Sequence, residues 1–214
     1  MIPKYSISKL PSPLKIFKHI FKPKEPFVMV NVISYKEKAS GKFSHLSGEE
    51  AYKIYADTVV KSQGPMGSKV LWAGRINKQL DGPKLPDFDT FLLLQYASPR
   101  TFLKFVFKGG SNTKARMAGL KGQWLLASNT IKSNETSSIL EEKFALIEYF
   151  CYSRIDEISH NKGIYQHLND SNLIWFGKTD QHILGRASPK ITHIMVSLFE
   201  TNQLREIWNR KSRE

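Results

Sequence analysis

Residues 70–96 align without a gap to residues 173–199 at a constant offset of 103. Trp72 falls on Trp175, Gly74 on Gly177, Gly82 on Gly185 and Pro86 on Pro189. Val70/Leu173, Leu71/Ile174, Arg75/Lys178, Leu80/Ile183 and Tyr96/Phe199 are like for like. An earlier run repeats as well, at an offset of 117. FVMVNVISY (27–35) matches FALIEYFCY (144–152), with Phe27/Phe144 and Tyr35/Tyr152 at its ends. A chain that repeats a strand–turn–strand pattern is built from two copies of one unit, which restricts the fold more than composition does.

The first copy reads as β-α-β-β-α-β. Residues 27–35 are a β-rich run. Ser47 and Glu50 have capping-box spacing and open a helix through about Ser62, with Ala51, Ile54, Tyr55, Thr58 and Val59 as its apolar stripe. KVLWAGRI (69–76) is a second strand, DGP (81–83) a turn, and DTFLLLQY (89–96) a third strand. Ser98 caps a helix that begins at Pro99, a ragged helical stretch follows, and QWLLAS (123–128) is the fourth strand. This order is the ferredoxin-like split unit. Such a unit leaves one sheet face uncovered, and a tandem copy can cover it. The expected class is α+β: two tandem ferredoxin-like units packed sheet to sheet as an intrachain pseudo-dimeric α+β barrel. The expected divisions are a basic arm at 1–26, a first unit at 27–128, a polar linker at 129–142 and a second, shorter unit at 143–214. In the second unit, helices are expected at about 155–168 and at 201–212, with no fourth strand.

The charge follows these divisions. The chain of 214 residues carries a formal +13. Residues 1–26 hold six Lys and one Glu, a net +5; residues 27–128 hold 15 basic and seven acidic residues, a net +8; residues 129–214 hold 11 of each. Between Pro13 and Pro23 a short amphipathic helix is expected. Leu14, Phe17 and Phe21 lie on its apolar side, and Lys15, Lys18 and Lys22 on the other. It either packs on the body of the protein or contacts an anionic membrane or acidic partner. A single cysteine, Cys151, excludes an intrachain disulfide, and its apolar neighbours suggest a buried strand position. No apolar run approaches the roughly 20 residues of a membrane span. A cytoplasmic chain is expected, with residues 13–22 as a peripheral membrane contact in the alternative reading.

Residues 27–128 resemble the domain-of-unknown-function family numbered 1330. The resemblance rests on VMVNVISY, SGEEAYKIYA, VLWAGRI, the strand followed by S-P-R-x-F-L, and the R-x-A-G-L segment from Arg116 to Leu120. The family belongs to the dimeric α+β barrel superfamily, which includes monooxygenases, haem-degrading enzymes and isomerases as well as proteins of no known activity. The resemblance therefore implies a fold, not a reaction. This chain departs from the family in its basic arm and its fused second copy.

Strand alternation places Met29, Asn31, Ile33 and Tyr35 on one face, with Leu71, Ala73 and Arg75 as companions. Their repeat partners include Glu148, Phe150, Phe176 and Lys178. Two readings follow. In one, Glu148 pairs with Lys178 or Arg75 and the set fixes the sheet register. In the other, Asn31, Tyr35, Tyr55, Arg75, Glu148 and Lys178 line a pocket for a small anionic or carbonyl-bearing ligand, with Arg75 as its anchor. His45, His160, His167, His182 and His193 show no metal-ligand spacing, and no phosphate-loop or dinucleotide fingerprint is present, so no metal and no cofactor are expected. Lys104, Lys108, Lys114, Arg116 and Lys121 read as a solvated basic face. Nucleic-acid binding is not expected, because the barrel needs the sheet face that would stack bases. The leading expectation is a small-ligand-binding α+β barrel, a monomer or weak dimer, with a cofactor-independent oxygenase- or isomerase-like activity left open. The alternative is a non-enzymatic binding protein that uses its basic arm on an anionic membrane surface or acidic partner.

Overall fold

A computed structural model describes residues 25–63, 68–80, 82, 84–108, 113–134, 144–151, 172–185 and 190–200. The helix expected at 13–22, with Leu14, Lys15, Phe17, Lys18, Phe21 and Lys22, lies outside them, as do the helices expected at 155–168 and 201–212. The chain forms two compact units: residues 1–128 with 180–186, and residues 129–179 with 187–214. Its described strands are antiparallel and carry three α-helices, an α+β protein.

In the first unit, β1 (Phe27–Tyr35), α1 (Gly48–Gln63), β2 (Lys69–Arg75), β3 (Thr90–Tyr96), α2 (Pro99–Lys108), α3 (Thr113–Gly119) and β4 (Leu120–Ser133) follow in order. The strands lie as β2-β3-β1-β4. The β-rich run at 27–34, apolar except for Asn31 and Ser34, suits a central strand, and every residue of it is buried. Its odd positions meet the helices. Phe27 and Met29 cluster with Phe102 and Leu103 of α2, and Ile33 with Tyr52 of α1. Its even positions, Val28, Val30 and Val32, are fully buried on the opposite face, level with Leu93 and Phe91 of β3.

Both expected helix caps form. The Ser47 backbone N–H donates to Glu50 Oε2 at 2.7 Å, and the Glu50 N–H donates to Ser47 Oγ at 3.1 Å. Ser98 Oγ accepts from the Thr101 N–H at 3.2 Å ahead of Pro99. The stripe of α1 is rotated from the expected one. Ala51, Tyr52, Tyr55 and Ala56 pack inward, while Ile54 and Thr58 are exposed. Tyr52 and Tyr55 stand one turn apart, and the bulk of the two rings sets the buried side. The expected linker at 129–142 is corrected at its start. Residues 129–133 continue β4, with Trp175 Nε1 donating to Thr130 Oγ1 at 2.9 Å and the Asn134 N–H to the Ile174 carbonyl at 3.1 Å. The polarity of this stretch reflects exposed strand residues.

In the second unit, the C-terminal part of β4 is followed by β5 (Phe144–Phe150), β6 (Leu173–Leu184) and β7 (His193–Phe199), with β7 between β5 and β6. Cys151 was expected to be buried within a strand. It lies one residue past the end of β5 and is exposed.

The two ladders share one register. In β2–β3, Trp72 faces Leu93 and Arg75 faces Thr90; in β6–β7, Trp175 faces Val196 and Lys178 faces His193. Phe27 faces Tyr96 as Phe144 faces Phe199. Every one of these pairs is related by the offsets of 103 and 117. The pairing shifts between Val70 and Trp72, and again between Leu173 and Trp175. In each copy the indole covers the glycine two residues on, so a side chain at Gly74 or Gly177 would collide with it. Gly82 and Gly185 both adopt positive φ, 87° and 73°, which glycine adopts at no steric cost.

Two glycines set how the helices of the first unit approach. Gly48 opens α1 and Gly119 closes α3. A Cβ on Gly119 would overlap the Gly48 carbonyl oxygen, and one on Gly48 would lie 2.6 Å from the Gly119 oxygen. The Lys36 N–H donates to the Gly119 carbonyl at 2.8 Å, and the Gly48 N–H donates to the Lys36 carbonyl at 3.0 Å. Gly119→Ala should therefore cost about 1–3 kcal/mol or more, as overpacking against backbone does. That lowers the melting temperature by about 2–4 °C per kcal/mol. Gly122→Ala meets only the Ser34 hydroxyl, at 3.1 Å, and should cost much less. Parallel thermal melts compare the two.

The capping box predicts a pH dependence. The Ser47 backbone N–H, with its hydroxyl, holds the Glu50 carboxyl below its ordinary pKa. A carboxyl depressed on folding stabilises above its unfolded pKa and loses that contribution as pH falls through the folded value. Glu50→Gln should lower the melting temperature at pH 7, and the gap should close in melts at pH 3.

Candidate functional site

The end of β1, the first two turns of α1, α3 and the start of β4 converge in the first unit. Their side chains there are Tyr35, Tyr52, Tyr55, Arg116 and Gln123. The glycine contact fixes their spacing, since Tyr52 is one turn beyond Gly48 and Arg116 nearly one turn before Gly119. Tyr35 and Tyr52 have ring centroids 5.4 Å apart, and Tyr52 and Tyr55 5.6 Å apart. The Arg116 guanidinium sits over the Tyr55 ring at 5.6 Å. It donates to Gln123 Oε1 and acts electrostatically on the Tyr52 phenol, lowering its pKa against the larger effect of burial.

Arg116 is only 9% exposed, and among the described residues no carboxylate pairs with it. The nearby acids are engaged elsewhere. Glu49 pairs with Arg75, Asp57 with Lys53, and Glu50 caps α1. Nor is the negative end of α3 left to balance it, because Lys36 Nζ donates to the carbonyls of Ala118 at 3.1 Å and Met117 at 3.4 Å. The described groups in direct contact with the guanidinium are neutral. Burial raises the phenol pKa values of Tyr35, Tyr52 and Tyr55 above the ordinary value. All three stay protonated at neutral pH, so they serve as hydrogen-bond donors and not as bases.

Tyr35 and Tyr55 thus come together as ligand-lining candidates, and the other expected residues lie elsewhere. The Tyr35 hydroxyl donates to Thr90 Oγ1 at 3.2 Å. Asn31 is buried on the helix side of β1 and donates to the Met29 carbonyl at 3.2 Å, within its own strand. Arg75 ends the edge strand with its side chain 69% exposed, in a 2.5 Å ion pair with Glu49. Glu148 and Lys178 belong to the second unit. Glu148 is half-buried in β5 opposite Met195, and Lys178 is exposed in β6 opposite His193, one row away. Among the described residues no group of three or more His, Cys, Asp or Glu side chains is placed to hold a metal ion. No described helix is long and apolar enough to cross a membrane. Arg116 was expected on a solvated basic face. The R-x-A-G-L segment could have signalled otherwise, since a glycine three residues after the arginine permits α3 to seat its last turn against another backbone.

No protein-family model matches the chain, and no curated protein matches it. Two solved structures resemble it, both of RPA0582, a protein of unknown function from Rhodopseudomonas palustris. The crystal structure of that protein superposes with a TM-score of 0.52 at 21% identity, covering 58% of this chain and 96% of that one. Its methylated form gives a TM-score of 0.52 at 20% identity, covering 59% and 98%. At this identity the likeness is one of fold.

Proposed function

We propose that this chain is a small-ligand-binding α+β barrel protein that takes an anionic ligand at Arg116. In this reading the chain is two tandem ferredoxin-like units packed sheet to sheet, allied to the domain-of-unknown-function family numbered 1330. The shared register of the two ladders supports the tandem reading. One observation carries the ligand: a buried guanidinium whose described partners, Gln123 and the tyrosines, are all uncharged. Burying a charge without a counter-charge is costly, and an incoming carboxylate or phosphate offsets that cost. A guanidinium grips either group in bidentate fashion, and a protonated phenol adds a further donor. The +8 of residues 27–128 draws anions toward the unit. The anchor expected at Arg75 moves to Arg116, because Glu49 already neutralises Arg75 on the surface.

The test is calorimetric titration of the purified full chain with benzoate and with inorganic phosphate, alongside native mass spectrometry for a carried ligand. At least one anion should bind. Arg116→Gln should weaken it by about 10- to 100-fold, the worth of a charged hydrogen bond, and Arg75→Ala should leave it unchanged. If neither anion binds, or if Arg116→Gln binds as the native protein does, the reading fails.

A further inference from the structure

One face of the second unit's ladder is a grid of three rows: Phe150–His193–Lys178, Glu148–Met195–Phe176 and Leu146–Ser197–Leu173. Phe150, Leu173, Met195 and Phe176 form a hydrophobic cluster on it. His193 and Ser197, 3% and 1% exposed, interrupt that cluster. A polar atom buried in such a place ordinarily has a partner, since leaving it without one costs about 1–3 kcal/mol. His193 Nε2 and Ser197 Oγ are both buried, and among the described residues neither has one.

The neighbouring threonine indicates which imidazole nitrogen is free. Thr192 Oγ1 donates its hydrogen to the Phe150 carbonyl at 3.0 Å. It therefore accepts from His193 Nδ1, 3.2 Å away. The proton sits on Nδ1, and Nε2 presents a bare lone pair. Burial, and then the charge of Lys178, lower the imidazole pKa, which keeps the ring neutral at pH 7. The Phe176 ring stacks on the imidazole, with centroids 5.8 Å apart and planes at 24°, and fixes its orientation.

We propose that this face of the second unit is a further binding position, separate from Arg116, for a mostly apolar small molecule bearing a hydroxyl group that donates to His193 Nε2. The apolar cluster supplies the body of such a site, and the lone pair supplies its selectivity. An anion finds no donor at Nε2. A neutral alcohol or phenol fits. Ser197 is four residues along the strand, about 13 Å away, and offers its hydroxyl to the far end of a longer ligand.

Phenol and anisole test this, because they share a ring and only phenol donates. Each is titrated into isotope-labelled full-length protein while the His193 ring nitrogens are followed by NMR. Phenol should shift the Nε2 signal saturably and bind at least about tenfold more tightly than anisole. His193→Phe should abolish that preference. Comparable affinity for the two compounds, or an unmoved His193 signal at saturating phenol, overturns the proposal even if His193→Phe does not fold.

Discussion

The backbone contact between Gly48 and Gly119 is the constraint on which the first unit depends. Two helix ends meet there with no side chain between them, and the main chain of Lys36 bonds to both. That single residue therefore sets the height of α1 and α3 above the sheet. Its ammonium then caps α3. With the helix ends pinned, Tyr52 and Arg116 have little choice of position. The guanidinium is carried inward by the packing of α3, not by any acid calling for it. A buried charge that originates this way, without a counter-ion, is a different object from a salt bridge, whose partners are matched within the fold.

The two ladders make a complementary point about what a repeat transmits. Register, the pairing shift before each tryptophan, the indole laid over a glycine, and the positive-φ glycine all recur. These are backbone features, and each needs one residue type at one position. The side chains projecting from the shared grid are not transmitted. Ile33–Thr90–Arg75 in one unit stands where Phe150–His193–Lys178 stands in the other. In the first, α1 lies over the row and Glu49 reaches its terminal arginine. In the second, a neutral imidazole is buried mid-row beside an exposed lysine. A common frame thus carries unlike chemistry, and a residue's role does not follow from its repeat position alone.

This explains what was legible in the sequence. Strand positions and helix starts were, because Pro, Gly and the Ser–Glu spacing act through local geometry. So were the shared faces, since alternation along a strand holds wherever the strand is paired. Tyr52 was not, because the choice between it and Ile54 for the inward side of α1 depends on where α3 lands. Residues 129–133 were not, because a polar strand whose side chains are exposed reads as a linker until its partner strand is known. Arg116 was hidden for the strongest reason. Gly119, three residues on, permits a close backbone approach, but the glycine it meets, Gly48, lies some 70 positions away in the chain, and only the fold brings the two together.

The net charge takes on a different sense once these placements are known. Lys53, Arg75 and Lys36 are balanced where they stand, by Asp57, by Glu49 and by the carbonyls of α3. Balanced surface charges contribute to the long-range field but add little to the binding of any one ligand. Among the described residues Arg116 has no counter-charge, so in the proposed reading an anion that reaches it gains most from the low dielectric around it. On the proposed reading, a broadly basic protein owes its anion recognition to one arginine, with the surrounding lysines raising the rate of encounter more than the affinity.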